Sequence, residues 1–346
     1  MLALRPRRGI IDVYAIVWVV VYLLLMFALK DFLPEKYMRD SMTIQMLADN
    51  AQAKQDATTA YSIAGTVAAV FPLWFLNILV AAVGSVTIWT VVTSLRSLRG
   101  MLLAVPVLGP AIILNLVQFG KETFTIPFAF LVLWIAKKSS SKTKAFLAIA
   151  AAYAFYGAFF REYYAIILMA FAGILLLRRS PAPLRIVYVL LAIAALCVVP
   201  AHVLDQLQGS RDVVNRIYNA VSNAVRTSIY NPFPPDNAWH FALNYIYVLA
   251  RLNLPLLFDH TPNEFVLTLN LVIYGALVFM GIRRSSGTAM DFLPWLFLSH
   301  LLVLAIFEPD SGSYFRHFSS VLVYLIPTLR LVEQRYAART LRETTG

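Results

Sequence analysis

The chain has 346 residues, 60% of them hydrophobic and only 14% charged, which excludes an ordinary soluble domain, whose charged share is nearer a quarter. Its formal net charge of +11 would suit a nucleic-acid binder in a soluble protein. Here the lysines and arginines cluster at the ends of apolar runs, as the positive-inside rule requires, so no nucleic acid is expected as a partner and the lipid bilayer is.

The first apolar run, Ile11 to Leu29, follows the basic Arg5-Pro6-Arg7-Arg8. It is long and lacks a small-x-small cleavage pattern, so it reads as a retained helix rather than a signal peptide. Further spans are predicted at Leu73 to Leu95, Met101 to Phe119, Phe124 to Ala136, Ala145 to Phe160, Tyr164 to Leu177, Ile186 to Val203, Phe265 to Ile282, Phe292 to Phe307 and Phe318 to Leu329. The fold class expected is therefore all-α, a polytopic membrane helix bundle of about ten transmembrane helices forming a single transmembrane domain over residues 1–346. The cytoplasmic side then collects 18 of the 29 lysines and arginines, placing both ends inside. Tyr61 to Phe71 and Trp239 to Phe258 are read as interfacial or re-entrant helices on the outer face, within extracytoplasmic loops at residues 30–62 and 204–264. The single cysteine, Cys197, leaves no intramolecular disulfide or cysteine metal cluster to form.

Charges at membrane depth direct attention to one side. The hairpin Met101 to Ala136 is so short that its apex falls near Gly120-Lys121-Glu122, and the hairpin Ala145 to Leu177 has its midpoint at Arg161-Glu162. A third polar cluster, Glu308-Pro309-Asp310-Ser311-Gly312-Ser313-Tyr314-Phe315-Arg316-His317, precedes the last predicted helix. Ionisable groups cost about 2.5 kcal/mol or more at the bilayer centre, so they pair with one another or line a polar cavity. Lys121, Arg161 and Arg316 facing a common outer cavity would suit a phosphate or diphosphate, with Arg251, flanked by apolar residues, as a further candidate. Tyr163, Tyr164 and Tyr314 suit stacking on sugars as well as anchoring helices at headgroups.

In this order of elements, with Phe-Gly-Lys-Glu at one apex, Arg-Glu-Tyr-Tyr at the next and Gly-x-Tyr-x-Arg-His before the last helix, the chain resembles the Wzy-type and EpsG-like polysaccharide polymerases, which make O-antigen, capsule or exopolysaccharide and are relatives of the GT-C membrane glycosyltransferases. The resemblance covers nearly the whole chain in layout, on motifs two to six residues long. It implies a multi-pass enzyme of the bacterial inner membrane whose active face is periplasmic, joining oligosaccharide units carried on undecaprenyl diphosphate. It implies diphosphate binding by Arg161 and Arg316 with help from Lys121, no metal and no cofactor, and a flippase and chain-length regulator as protein partners. Glycosyl transfer needs a general base near the acceptor hydroxyl, for which Glu122, Glu162, Asp310 and His317 qualify by depth. In GT-C enzymes an acidic residue of the first outer loop acts instead, which points to Asp31 or Asp40.

The other readings are a GT-C enzyme using a polyprenyl-phosphate sugar, a transporter or flippase of a lipid-linked glycan, and a structural membrane subunit. Phosphate-binding glycine loops, paired zinc ligands and Gly-x-Ser-x-Gly are missing, and the inner loops are too short for a nucleotide-sugar domain.

Overall fold

The computed structural model describes residues 8–32, 38–50, 59–95, 97–221 and 228–332. Among them the structure is all helical, with no strand and one isolated bridge between Ser228 and Asp310. Four helical stretches, Gly9–Leu29, Leu73–Val92, Glu264–Arg283 and Ala289–Phe307, are long and apolar enough to cross a membrane, and the bent pair Ala182–Val198 and Ala201–Arg216 adds a fifth if it is one span. The chain divides into two compact units.

The first unit comprises Met1–Tyr164, Tyr274–Phe297 and Ser319–Gly346. It opens with α1 (Arg8–Leu24), which runs on through a π-helical turn at Leu25–Leu29. Then come α2 (Arg39–Asp49) and α3 (Thr59–Val70), packed on each other, and α4 (Leu73–Val92), packed on α1. Pro72 separates α3 from α4 in an extended conformation that a helix interior does not tolerate. Gly84 of α4 faces Tyr22 of α1, and an added methyl would strike the phenol ring, so α1 and α4 approach closely only because residue 84 has no side chain. The Tyr22 hydroxyl donates its one proton between the carbonyls of Val80 and Leu116, each 2.9 Å away.

Ser97 caps α5 (Leu98–Ala111), where Pro106 and Pro110 remove two N–H groups before the helix widens into a π-helical turn at Ile112–Leu116. Two hairpin arms follow, α6 (Glu122–Lys138) and α7 (Lys142–Phe159, capped by Ser141), and then α8 (Tyr163–Arg179) begins. Lys137, Lys138, Arg178 and Arg179 sit in the last turns of α6 and α8, where a cation complements the helix dipole.

The second unit comprises Ala165–Ile273 and Leu298–Phe318. The helix expected over Ile186 to Val203 is two: α9 (Ala182–Val198) and α10 (Ala201–Val221), bent by 97°. Pro200 is the cause, since it offers no N–H and forces Val199 into an extended conformation. The unit continues with α11 (Ala238–Asn253), stopped by Pro255, and with parts of α12 (Pro262–Arg283) and α13 (Phe292–Phe307).

The last predicted helix, Phe318 to Leu329, is also interrupted. The chain forms α14 (Ser311–Ser319), turns at Ser320 and Val321, and resumes as the apolar helix Leu322–Val332. Val321 leaves the helical region, and the Ser319 hydroxyl accepts from the Asn115 amide at 2.9 Å, a polar anchor that a continuous apolar span would lack.

Candidate functional site

Each unit holds its own charged cluster. In the first, the N-terminal ends of α6 and α8 bring Glu122 and Arg161 together: Arg161 Nη2 donates to Glu122 Oε1 at 2.7 Å, and Nη1 to the Tyr163 hydroxyl at 2.8 Å. Both side chains are buried. Glu122 occupies the first turn of α6, where the helix dipole favours an anion. A buried Arg–carboxylate pair of this kind, made through Oε1 of Glu122, holds two helix ends together more readily than it binds a passing anion.

Beside it lies a second pair. Lys121, at the N-cap of α6, stands 3.5 Å from Asp40 Oδ2 and 3.7 Å above the ring of Tyr61, whose hydroxyl donates to Asp40 Oδ1 at 2.7 Å. Lys121 and Asp40 are less deeply buried than Arg161 and Glu122. Asp40 projects from the first turn of α2, so the first-loop carboxylate is held against the hairpin apex. Glu162, the neighbour of Arg161, is exposed. Asp31 lies in a short 3-10 turn, and its side chain is outside the described residues.

In the second unit the cluster forms at the corner between α13 and α14. Asp310 caps α14, its Oδ1 accepting from the Ser313 backbone N–H at 2.8 Å. Ser313 and His317 are four residues apart on α14 and so share a face. Both reach Glu308: Ser313 Oγ donates to Oε2 at 2.6 Å, and His317 Nδ1 pairs with Oε1. Burial alone would push the Glu308 carboxyl up, but His317, Ser313 and Arg316 outweigh it and hold it below the ordinary glutamate range. For Asp310 burial prevails, raising its carboxyl against the Ser313 N–H, with Glu308 adding to the rise and Arg316 opposing it. Arg316 therefore adds positive charge beside both carboxylates.

Two of the expected residues serve the framework here. Tyr314 is buried and its hydroxyl lies 3.2 Å from both Asn253 Oδ1 and the Leu301 carbonyl, so it is not presented to a sugar. Arg251 donates to the Tyr247 hydroxyl at 3.1 Å and lies over the Phe258 ring.

Two residues to which the sequence gives little weight, one of them Arg211, an outer-loop arginine that could add to an anion site, complete this corner. Glu308, named only as part of its cluster, is the acceptor that gathers Ser313 and His317. Arg211, which a loop reading treats as a surface charge, is fully buried and donates to the carbonyls of Ala305, Ile306 and Glu308, capping the C-terminal end of α13. The i, i+4 spacing of Ser313 and His317 was the available signal for the first. The second depends on contacts about 95 residues apart in sequence, and no local signal marks it.

Chemically, a carboxylate on Nδ1 orients the imidazole, and in the neutral ring it favours the tautomer with the lone pair on Nε2, which a general base uses; Nε2 is itself buried. Arg316, the next residue, is a permanent cation that acts on both Glu308 and Asp310. Compared with protein-family models, curated proteins and solved structures, the chain matches none.

Proposed function

We propose that this chain is a membrane-embedded polysaccharide polymerase of the Wzy-type and EpsG-like kind, joining lipid-diphosphate-linked oligosaccharide units at the periplasmic face of a bacterial inner membrane. In this reading the apolar stretches make about ten crossings with both ends in the cytoplasm, the short hairpin helices included. The observation that supports it best is the Glu308–His317 pair with Arg316 adjacent: a held imidazole and a cation on one helix, as transfer from a diphosphate donor needs.

His317 Nε2 takes the proton of the acceptor sugar hydroxyl while that oxygen bonds to the anomeric carbon of the donor. The bond from that carbon to the diphosphate oxygen breaks, and the electron pair leaves with the lipid diphosphate. Arg316 offsets the negative charge of the departing group, and Glu308 stabilises the imidazolium until it returns its proton to water.

A second reading, a GT-C transferase of a single sugar from a polyprenyl phosphate, is favoured by Asp40: a first-loop carboxylate stands with a lysine beside it. In that case Asp40 takes the proton and Lys121 meets the phosphate.

The test uses the full chain in liposomes with an undecaprenyl-diphosphate-linked oligosaccharide. The polymerase reading expects a ladder of products from the wild type and a loss of about a hundredfold or more in His317→Ala, the usual scale for removing a general base. A wild-type ladder undiminished in His317→Ala overturns the proposed base, and transfer of one sugar with no ladder favours the second reading.

A further inference from the structure

Residues 228–237, which lead into α11, leave directly from the Glu308–His317 corner. The Ile229 backbone N–H donates to the Pro309 carbonyl at 2.9 Å, and Ser228 bridges Asp310. From there the backbone is fastened at alternate residues. Asn215 Nδ2 donates to the carbonyl of Ile229 at 2.9 Å, the Asn231 N–H donates to Asp212 at 3.1 Å, and Asn244 accepts from the N–H of Phe233 and donates to its carbonyl. Asn215 and Asn244 are fully buried, so these ties are shielded from water. Pro232, Pro234 and Pro235 further restrict the segment.

What this fastened segment presents is aromatic and polar together. Tyr230, Phe233 and Trp239 are 40%, 42% and 68% exposed. Phe233 stacks on His240, ring centroids 5.3 Å apart and planes within 15° of parallel, and His240 Nδ1 is 2.7 Å from Asp236 Oδ1. Asp236 and Asn237 are exposed beside them. Phe233, stacked on His240 beside Asp236, stands on a backbone held by buried amides, so the cost of ordering it is already met, and Tyr230 and Trp239 expose their rings on the same stretch of chain.

We propose that Tyr230, Phe233 and Trp239, with Asp236 and His240, form a subsite for the sugars of the growing glycan chain. A pyranose has an apolar face of C–H groups that covers an aromatic ring and a rim of hydroxyls that bonds to carboxylate, amide and imidazole. The product must also extend away from the reacting hydroxyl, and this segment is tied through Ser228 and Ile229 to Asp310 and Pro309, on the corner that carries His317. A headgroup belt also exposes tryptophan and tyrosine. It needs neither an exposed carboxylate nor a backbone fastened at every second residue.

The ligand's identity rests on the polymerase reading, so the test measures binding apart from catalysis. Oligosaccharides cut from the producing cell's own surface polysaccharide are titrated onto the detergent-solubilised full-length protein. The wild type and His317→Ala are expected to bind them alike, and Phe233→Ala and Trp239→Ala to bind about tenfold more weakly, the scale of losing one aromatic stacking contact. Trp239→Phe, which keeps a ring, should retain most of the affinity, and Asp236→Asn should weaken it without unfolding the segment. Absence of binding to the wild type, or equal binding by the wild type and both alanine variants, overturns the subsite. In the second case the aromatics are a membrane belt only. A His317→Ala variant that still polymerises sinks the catalytic assignment and leaves these binding outcomes unaltered.

Discussion

Glu122 and Arg161, 39 residues apart in the chain, meet at 2.7 Å with both side chains buried, tying the start of α6 to the start of α8. The pair is worth little over an apolar alternative of the same shape, yet removing one partner strands the other charge without water. Glu122→Gln and Arg161→Met are each expected to cost about 3–5 kcal/mol. The double variant Glu122→Gln with Arg161→Met should be far closer to the wild type than the sum of the two. Thermal unfolding in detergent measures all of these, and additive losses would contradict the ion-pair account.

The α1–α4 contact makes a simpler prediction. At Gly84 an added methyl meets the Tyr22 ring, whereas at Gly173, within α8, it meets nothing within 4 Å. Gly84→Ala should therefore destabilise by about 1–3 kcal/mol through overpacking, while Gly173→Ala should gain up to about 1 kcal/mol from reduced chain entropy. Equal melting temperatures for the two variants would show that α1 and α4 have room to separate.

Acidity should distinguish the two carboxylates at the α14 corner, because their shifts have opposite sign. The Glu308 carboxyl is held below its ordinary value of 4.5, so its stabilisation is present above that value and is lost as pH falls through the lower folded value. The Asp310 carboxyl is raised above 3.8, so its contribution is present below that value and is lost as pH rises through the higher folded one. Glu308→Gln is expected to be less stable than wild type at neutral pH, with the gap closing as the pH falls below 4.5. Asp310→Asn keeps a good cap and removes the buried charge, so it should match or exceed the wild type at neutral pH. Melting curves across pH check both, and a Glu308→Gln deficit that persists in acid would mean that His317 and Ser313 do not depend on its charge.

Much of this architecture could be read from local pattern. The apolar runs locate the helices, the hairpin lengths locate Lys121, Glu122 and Arg161 at apices, and Pro72 marks the boundary between α3 and α4. The two interrupted helices needed more weight on single residues: Pro200 ends α9, and the Ser319-Ser320 pair ends α14 inside what reads as one apolar run. Partners were less legible than positions. Asp40 finds Lys121, and Asn115 finds Ser319, only through packing between distant segments. Asp310 stands before Ser311-Gly312-Ser313, the pattern of a helix cap, and capping is its role in the structure.

The polymerase and single-sugar readings place the general base on different residues, which lets one assay separate them. Loss of a general base costs about a hundredfold to ten-thousandfold in rate. If His317 is the base, Glu308→Gln lowers the rate with little change in KM, because the imidazole loses its orienting anion and the cation formed on proton transfer loses its partner. Ser313→Ala should have a smaller effect in the same direction, since Glu308 keeps His317 while losing one of its two side-chain donors. Asp40→Asn, by contrast, should then leave transfer nearly unchanged while loosening α2 from the α6 apex. A collapse of transfer in Asp40→Asn with Glu308→Gln unaffected would move the base to Asp40 and make Lys121 the phosphate-binding cation. Single-turnover rates of the Glu308→Gln, Ser313→Ala and Asp40→Asn variants against the wild type read the difference directly.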